Sequence, residues 1–313
     1  MVLHGSAPGR AAARAGGLPA GQVVEAFVSR RRYRHVLAWG ERFGLPLALL
    51  AKLARSPLDV VLIAVWLSRP KKAVFLRHLK VQSNIRLIVT RAAQAEVAVE
   101  RLGVPPDRLR VEPRPVDDAF WQAPREPPRR RVCSVGLEAR DYRTLLDAVR
   151  DTDIDTELAV GSIALPEDRA RRAAARGGVL AATPPNVRLG CRGPLELREL
   201  YASSQAVVIP LHAVDFDAGV TAATEGMAMS RPIVATRTRG LADLFTDGVE
   251  GFYVRPGDPR ALRGAIRHLL DHPEQAARMG AAGRALVERR HRLDDRLDVL
   301  ANLVLDGVRG TSA

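Results

Sequence analysis

Short apolar runs alternate with stretches of helical periodicity through the C-terminal half of the chain. The runs end at Gly, Pro or polar residues, as the buried strands of a parallel sheet do. We interpret six of them as strands: Val132–Gly136, Glu157–Gly161, Val187–Gly190, Ala206–Pro210, Pro232–Thr236 and Gly251–Val254. The helical stretches that follow them are Thr144–Val149, Pro166–Arg176, Leu195–Ser203, Gly219–Met229, Leu241–Phe245 and Pro259–Leu270. The alternation predicts an α/β fold in which helices cover both faces of a parallel sheet.

The N-terminal part shows the same alternation with fewer units. We interpret four runs as strands: Val36–Trp39, Val60–Ala64, Leu87–Thr90 and Val111–Pro113. Two stretches have helical periodicity, Leu45–Ala54 and Ala92–Leu102. A complete doubly wound domain contains more strands than these. We therefore predict an N-terminal domain of the same class that is incomplete.

A proline-rich polar segment, Pro124–Arg131, separates the two parts. Proline does not continue a helix or a central strand, so we place the domain boundary here, with domains at 1–124 and 125–313. The run Ala7–Ala20 is rich in Ala, Gly, Arg and Pro. Because that composition offers little apolar surface, we expect residues 1–22 to be disordered.

The length of 313 residues accommodates two domains of ordinary size. No apolar stretch approaches the length that a membrane-spanning helix needs, and no signal peptide is apparent, so we expect a cytoplasmic protein. Cys133 and Cys191 follow neither a metal-ligand spacing nor a disulfide framework. We interpret both as buried thiols in a reducing compartment.

Charge is distributed unevenly along the chain. Residues 1–131 carry a net charge of roughly +14, whereas the remainder carries roughly −1. The densest basic clusters are Arg30–Arg32, Arg69–Lys72 and Arg77–Lys80. Such clusters favour an anionic partner, and the alternative is a solvated face with no partner. Because no basic helix with interleaved aromatic residues is present, an anionic membrane surface is the expected partner and nucleic acid is not.

The segment from Asp215 to Gly240 carries the most informative chemistry. A predicted strand ends at Pro210, and a helix begins near Gly219. The first N–H groups of a helix lack internal acceptors and attract anions, and a glycine lets a ligand approach that backbone closely. Glu225 lies four residues after Thr221 on the same helix face, where it is placed to accept hydrogen bonds from ribose hydroxyls. The pattern predicts a nucleotide-binding site.

This segment resembles the donor-binding segment of retaining GT-B glycosyltransferases of family 4. The family has two glutamates with seven residues between them, and the corresponding residues here are Asp217 and Glu225. Three further segments resemble conserved stretches of the family: Gly248–Pro259, Gly193–Tyr201 and Leu102–Phe120. The resemblance is close over about residues 131–300 and looser over about residues 58–121.

The resemblance implies two Rossmann-like domains, the second of which binds a nucleotide-sugar. It implies that Asp217 and Arg140 take part in catalysis. It implies a set of donor-binding residues: Gly136, Arg140, Arg143, Asp217, Ala218, Gly219, Val220, Thr221 and Glu225. It also implies sugar transfer with retention, no cofactor and no metal ion. The sequence Asp215-Phe216-Asp217 matches the Asp-x-Asp metal-binding motif, but it lies within the segment that resembles the donor-binding one.

Several positions depart from the family pattern. The first glutamate is shortened to Asp217, and Leu137 and Tyr142 stand where the family usually has Arg and Lys. Neither the glycine-rich loop of the first domain nor its histidine is found; Trp66 follows the strand where that histidine is expected. Two hypotheses follow: an active glycosyltransferase at the cytoplasmic face of a membrane, acting on a glycan or lipid-linked acceptor, or a catalytically inactive relative that binds a donor or a protein partner.

Overall fold

The computed structural model describes residues 6–123, 126–160 and 183–309. The chain forms two compact units. One contains the residues up to Pro113 together with the C-terminal stretch from Asp294, and the other runs from Arg114 to Leu293. The two units are described separately below.

The first unit contains four strands and the helices that connect them. In chain order these elements are α1 (Ala7–Val28), β1 (His35–Trp39), α2 (Glu41–Leu53), β2 (Asp59–Ile63), α3 (Pro70–Ala73), β3 (Ile85–Val89), α4 (Ala92–Glu96) and β4 (Leu109–Val111). Each of α3 and α4 continues as a short π-helix, which ends at His78 and at Arg101 respectively. The four strands predicted from the sequence are therefore confirmed to within about two residues.

The second unit contains six strands. Its elements are β5 (Arg129–Val135), α5 (Tyr142–Val149), β6 (Asp155–Ala159), β7 (Val187–Gly190), α6 (Pro194–Ser203), β8 (Ser204–Ile209), α7 (Val220–Ala228), β9 (Ile233–Thr236), β10 (Gly251–Val254), α8 (Pro259–Asp271) and α9 (Pro273–Arg290). The last helix, α10 (Leu293–Arg309), leads into the first unit. Within the three described ranges, no helix is long and apolar enough to cross a membrane.

All six strands predicted for this unit are confirmed, but one predicted helix is wrong. Leu241–Phe245 forms hydrogen-bonded turns instead. The Leu241 carbonyl accepts from the Leu244 N–H at 3.0 Å and from the Tyr253 hydroxyl at 2.7 Å. The Phe245 N–H, which an α-helix would direct to Leu241, donates to the Tyr253 hydroxyl at 3.4 Å instead. The predicted helix Pro166–Arg176 lies outside the described residues.

The sheet of the first unit is parallel, with its strands in the order β1-β2-β3-β4. The connecting helices cover one face, where the largest fully buried side chains are Leu45, Leu58, Leu62, Leu67, Leu76 and Leu87. On the opposite face Val61, Ile63 and Ile88 pack against Leu300 of α10. Helices cover both faces of this sheet, and alternate strand residues point to opposite faces, so β2 and β3 are mostly apolar on both faces. The exceptions are Asp59 and Arg86, which pair with each other.

The N-terminal segment is a helix, so the prediction of disorder for residues 1–22 is wrong from Ser6 onward; residues 1–5 lie outside the described chain. The Ser6 hydroxyl accepts from the Gly9 N–H at 3.1 Å, and the Ser6 N–H donates to Glu25 Oε2 at 3.0 Å. Gly17 kinks the helix with φ = 75°, and Val23 is buried in the core. The Gly and Pro content masked the helix propensity of the alanines.

The strand order in the second unit is β10-β9-β8-β5-β6-β7. The chain builds outward from β5 through β6 to β7, and then returns to β8 and builds in the opposite direction. The order therefore reverses between β5 and β8. In doubly wound sheets the crevice beyond the carboxyl ends of two such strands is where ligands bind.

The boundary between the units differs from the one expected at residue 124. The segment after Arg114 packs within the second unit, where Trp121 is buried with its ring centroid 5.5 Å from that of Tyr201. Arg284 Nη1 donates to the Trp121 carbonyl at 2.9 Å and to the Ala228 carbonyl at 3.0 Å. The proline-rich stretch marks a linker, but the residues from Arg114 to the linker belong to the second unit, because Trp121 is buried there.

Two helical glycines provide a matched test of the packing in the second unit. A Cβ atom at Gly280 in α9 would lie 2.1 Å from the Ser230 carbonyl oxygen, whereas one at Gly264 in α8 would meet nothing within 4 Å. We expect Gly280→Ala to lower the free energy of unfolding by about 2 kcal/mol or more. Gly264→Ala should raise it by up to about 1 kcal/mol, because alanine favours the helix. Urea unfolding measures both, and equal effects would contradict this packing.

Candidate functional site

Two loops meet at the carboxyl ends of β5 and β8. The first follows β5 and the second follows β8, where the strand order reverses. The Asp141 N–H donates to the Pro210 carbonyl at 3.0 Å, and the His212 N–H donates to the Ala139 carbonyl at 3.0 Å. These backbone bonds fix the two loops to each other. Residues that the sequence places 70 positions apart therefore face one site.

The guanidinium of Arg140 is the cation at this site. Its Nε donates to the Val135 carbonyl at 2.9 Å and its Nη1 to the Glu138 carbonyl at 3.0 Å. These bonds hold the side chain back over the end of β5. Burial lowers the pKa of Arg140, but an arginine remains charged at neutral pH even so. The protein thus holds a partly desolvated positive charge at the switch point.

Two glycines make room for this guanidinium. Gly136 has φ = 100° and Gly219 has φ = 84°, a region that glycine adopts readily. A Cβ atom at Gly136 would lie 2.8 Å from Arg140 Nη2, and one at Gly219 would lie 3.7 Å from Arg140 Nη1. At Gly219 it would also lie 2.6 Å from Ile209 Cγ2. Arg140 therefore lies beside the first residue of the segment that begins α7.

The N-terminus of α7 is open to a ligand. Gly219 is its N-cap residue, and no side chain accepts a hydrogen bond from the first turn. The side chains of Ala218 and Val220 are buried, and their N–H groups donate to the Phe216 and Asp217 carbonyls at 2.8 Å and 3.4 Å. Thr221 is exposed on the first turn. The dipole of α7, the remaining N–H groups of its first turn and the fixed guanidinium together favour an anion such as a diphosphate.

Glu225 lies one turn further along α7 and is half-buried. Tyr201, which is fully buried, donates its hydroxyl to Glu225 Oε2 at 3.0 Å. Burial raises the pKa of Glu225 to about 7, and the hydrogen bond from Tyr201 opposes this shift. Burial also raises the pKa of Tyr201, so that it stays a donor. The carboxyl group can accept two further hydrogen bonds, as the two hydroxyls of a ribose require.

Asp217 is placed differently from what its predicted role suggests. Its carboxylate is 1% exposed and forms an ion pair with Arg114 Nη2 at 2.7 Å. The Arg114 carbonyl in turn lies 2.8 Å from Nδ1 of the buried His291. No sequence pattern points to Arg114, because it lies 103 positions from Asp217 in the chain. The catalytic role of Asp217 stays a prediction, and the structure adds the arginine that neutralises its charge.

Arg143 and Tyr142 lie on α5, which Asp141 caps by accepting from the Thr144 N–H at 3.1 Å. Arg143 is exposed on the helix surface, and its donor-binding role stays a prediction. Tyr142 points inward and donates its hydroxyl to the Gly136 carbonyl. Burial raises the pKa of Tyr142 to about 12, so this position carries no charge. Arg140 is consequently the basic side chain that the loop 136–143 brings to the start of α7.

Two further residues near the site were missed at the sequence level. His212 is exposed next to the loop after β5, with its Nδ1 3.8 Å from Asp141 Oδ2. Gly240 packs against the backbone of Phe216, since a Cβ atom at Gly240 would lie 1.8 Å from the Phe216 carbonyl oxygen. A histidine directly after the strand-ending Pro210–Leu211 pair was the only available signal for the first. Across the described ranges no three His, Cys, Asp or Glu side chains gather as metal ligands; the absence of a metal stays a prediction.

Comparison with known proteins shows what the chain is similar to. Residues 140–272 match the family model described as "Glycosyl transferases group 1". The match begins at Arg140 and contains the segment from Asp215 to Gly240.

Two curated relatives cover most of this chain. D-inositol 3-phosphate glycosyltransferase of Acidothermus cellulolyticus is 26% identical over 258 residues, which are 74% of this chain and 56% of that protein. MMP alpha-(1->4)-mannosyltransferase of Mycolicibacterium hassiacum is 27% identical over 236 residues, which are 72% of this chain and 56% of that protein. The chain therefore spans about half the length of the curated relatives that it matches.

Solved structures share the fold. Sucrose-phosphate synthase from Thermosynechococcus elongatus aligns with a TM-score of 0.74 at 17% identity, covering 94% of this chain and 79% of that one. Anabaena HepE in complex with UDP and glucose aligns with a TM-score of 0.72 at 16% identity, covering 96% and 83%. The two parallel sheets with their helices form the α/β architecture of GT-B glycosyltransferases, as the sequence predicted. Residues 140–272 therefore resemble group 1 glycosyltransferases, and the solved structures share the fold of the chain.

The buried ion pair between Arg114 and Asp217 makes a prediction about stability. Arg114→Met leaves the Asp217 carboxylate buried without its cation, and we expect a loss of about 3 kcal/mol in the free energy of unfolding. Adding Asp217→Asn removes the stranded charge, so the double variant should be more stable than Arg114→Met alone. Chemical unfolding of the two variants measures the difference. A double variant that is less stable than the single one would contradict the pairing.

The raised pKa of Glu225 predicts a dependence of stability on pH. The folded protein holds the proton more tightly than the unfolded chain, so this group stabilises the fold below about pH 4.5 and loses that contribution as the pH rises through about 7. Relative to Glu225→Gln, the native protein should lose at most about 3 kcal/mol between these limits. Unfolding of both proteins at about pH 5 and about pH 8 measures this. A constant difference between them would contradict the assignment.

Proposed function

We propose that this protein is a glycosyltransferase that moves a sugar from a nucleotide-diphosphate donor to an acceptor hydroxyl with retention of anomeric configuration. The observation that carries the proposal is the position of Arg140, fixed by two backbone carbonyls between Gly136 and Gly219 at the open start of α7. A diphosphate bound there would contact both the guanidinium and the first turn of the helix.

In the proposed reaction, negative charge develops next to the hydrogen-bond donors of this site. The bond from the anomeric carbon to the diphosphate oxygen breaks, and negative charge builds on the leaving phosphate. The acceptor oxygen forms the new bond on the same face of the sugar and gives its proton to the departing phosphate oxygen. Arg140 and the N-terminus of α7 would stabilise that phosphate in place of a metal ion. Glu225, oriented by Tyr201, would bind the ribose of the same nucleotide.

Asp217 and Arg143 have supporting roles in the proposal. The Asp217 backbone precedes the start of α7, and its side chain is anchored to Arg114 at 2.7 Å. In the proposed reaction this carboxylate helps to orient the transferred sugar. Arg143, exposed on α5, would meet the outer edge of the donor phosphates. No cofactor enters the proposed step, and the nucleotide-sugar acts as a co-substrate.

The compared proteins support the choice of substrates. HepE is named in complex with UDP and glucose, and the curated relatives are named as glycosyltransferases. For this chain we propose a UDP-sugar or GDP-sugar as donor and a glycan or lipid-linked hydroxyl as acceptor. The basic excess of its N-terminal part supports a place at the cytoplasmic face of an anionic membrane.

A second candidate is a catalytically inactive relative that binds a donor or a protein partner. The burial of the Asp217 carboxylate, which is 1% exposed and already paired, favours this candidate. If the Asp217 carboxylate remains paired with Arg114 when the donor binds, donor binding persists. The carboxylate then makes no contact with the transferred sugar.

Titration with UDP-sugars and GDP-sugars tests the proposal. Heat of binding reports affinity, and release of free nucleotide in the presence of acceptor reports turnover. We expect Arg140→Met to weaken donor binding about 10-fold to 100-fold, because a charge-assisted contact to phosphate is lost. Glu225→Gln should weaken binding of the donor and of the free nucleoside diphosphate alike.

Arg267→Met is the matched control, because Arg267 is exposed on α8. It should bind donor as the native protein does. Binding without turnover for every acceptor class would favour the inactive relative. Full affinity in Arg140→Met would contradict the assignment of the diphosphate site.

A further inference from the structure

An apolar groove follows the outer edge of the first unit's sheet. It has a volume of about 320 Å³ and lies along β1, between α1 and α2. Its lining is almost entirely apolar, and the residues are Gln22, Val23, Ala26, Val36, Leu37, Ala38, Trp39, Phe43 and Leu47. Because β1 is at the edge of the four-stranded sheet, no neighbouring strand of that sheet covers this side.

The side chains of β1 that point away from α2 are exposed. Leu37 is opposite Val61 and Trp39 is opposite Ile63 in the strand register, so all four lie on one face. Leu300 of α10 packs on Val61 and Ile63. Leu37 and Trp39 nevertheless stay 43% and 55% exposed. The helix covers the centre of this face and leaves its β1 margin open.

Arginines stand directly before this apolar margin. The chain enters β1 through a turn of 3-10 helix, Ser29–Arg32, which is followed by Tyr33 and Arg34. Tyr33 is 58% exposed, and Arg31, Arg32 and Arg34 are exposed beside it. We call the combined area the β1 surface; it consists of Arg31, Arg32, Tyr33, Arg34, Leu37 and Trp39.

We propose that the β1 surface docks on an anionic phospholipid bilayer. Tyr and Trp side chains favour the interface of a membrane, where the ring meets the acyl region and the polar atom stays wet. Arginines beside them bind lipid phosphates, and each basic residue near such a surface contributes about 1 kcal/mol. The apolar groove receives the part of a lipid next to its headgroup. The edge N–H and C=O groups of β1 remain hydrated in that interfacial layer.

The charge of the chain distinguishes this occupant from others. The first unit carries a net charge of about +10, so two copies apposed through this unit repel, whereas an anionic bilayer attracts it. Aliphatic side chains such as Leu37 in the same strip favour acyl chains over stacked bases. The β1 surface would be the part of the chain that contacts the membrane in the proposed function, on which this inference rests. Its test contains no donor, so its failure leaves the donor site unaffected.

The test is binding of the full chain to vesicles. Neutral phosphatidylcholine vesicles and vesicles with about one-third phosphatidylserine are compared at low and high salt, because the surface potential is screened over a Debye length. We expect binding only to the anionic vesicles and its loss at high salt. Replacing Arg31, Arg32 and Arg34 by Gln together should lower the partition coefficient about 10-fold to 1000-fold.

Matched variants separate this surface from general charge and general stickiness. Arg260, Arg267 and Arg278, exposed on α8 and α9, lose the same charge when changed to Gln and should leave binding unaltered. Leu37→Ser with Trp39→Ser should reduce binding about tenfold or more, whereas Leu195→Ser, 62% exposed on α6, should not. Trp39→Phe should retain binding and lose the blue shift in tryptophan emission.

Three results would overturn the proposal. One is equal binding to neutral and anionic vesicles. Another is loss of binding in the control triple variant to the same extent as in the β1 variant. A third is absence of vesicle binding together with a dimer in light scattering, or an oligonucleotide complex, that Leu37→Ser with Trp39→Ser abolishes.

Discussion

The close approach of one guanidinium to two glycine backbones is the constraint on which the candidate site depends. Gly136 and Gly219 have positive φ angles, and a Cβ atom at Gly136 would lie 2.8 Å from Arg140 Nη2. Because both positions lack a side chain, Arg140 can bond back to the Val135 carbonyl and still lie beside the start of α7. The reversal of strand order between β5 and β8 brings these two glycines together. The strand order and the two glycine conformations therefore together determine where the Arg140 guanidinium lies.

Charge at the site is balanced by specific pairs. Tyr142 occupies a position where a lysine is usual in the family that the sequence resembles, and its buried hydroxyl bonds to the Gly136 carbonyl instead. Arg140 is left as the cation that faces the helix. Asp217 is neutralised by Arg114, so the negative charge nearest to the start of α7 does not oppose an incoming diphosphate. Glu225, whose pKa lies near 7 because of its burial, completes a site that can hold an anion at one end and hydroxyls at the other.

Much of this arrangement could be predicted from the sequence, and the remainder depends on contacts between distant residues. Apolar runs located all six strands of the second unit, and the glycine before a helical stretch located the start of α7. Periodicity could not reveal the ion pair between Arg114 and Asp217, because nothing in either segment specifies its partner. It also could not show that α10 returns to cover the first sheet, since Leu300 contacts Val61 only in the folded chain. Composition misled for α1, whose glycines and prolines resemble a disordered segment while Ser6 and Glu25 fix its fold.

A crystal structure of the protein with a bound nucleoside diphosphate is the most direct test of the central claim. We predict that the terminal phosphate lies within hydrogen-bond distance of the Arg140 guanidinium and of the backbone N–H groups at the start of α7, with the ribose hydroxyls at the Glu225 carboxylate. A nucleotide bound elsewhere in the second unit, or bound with Arg140 still directed only at the Val135 and Glu138 carbonyls and out of reach of the phosphates, would contradict the account.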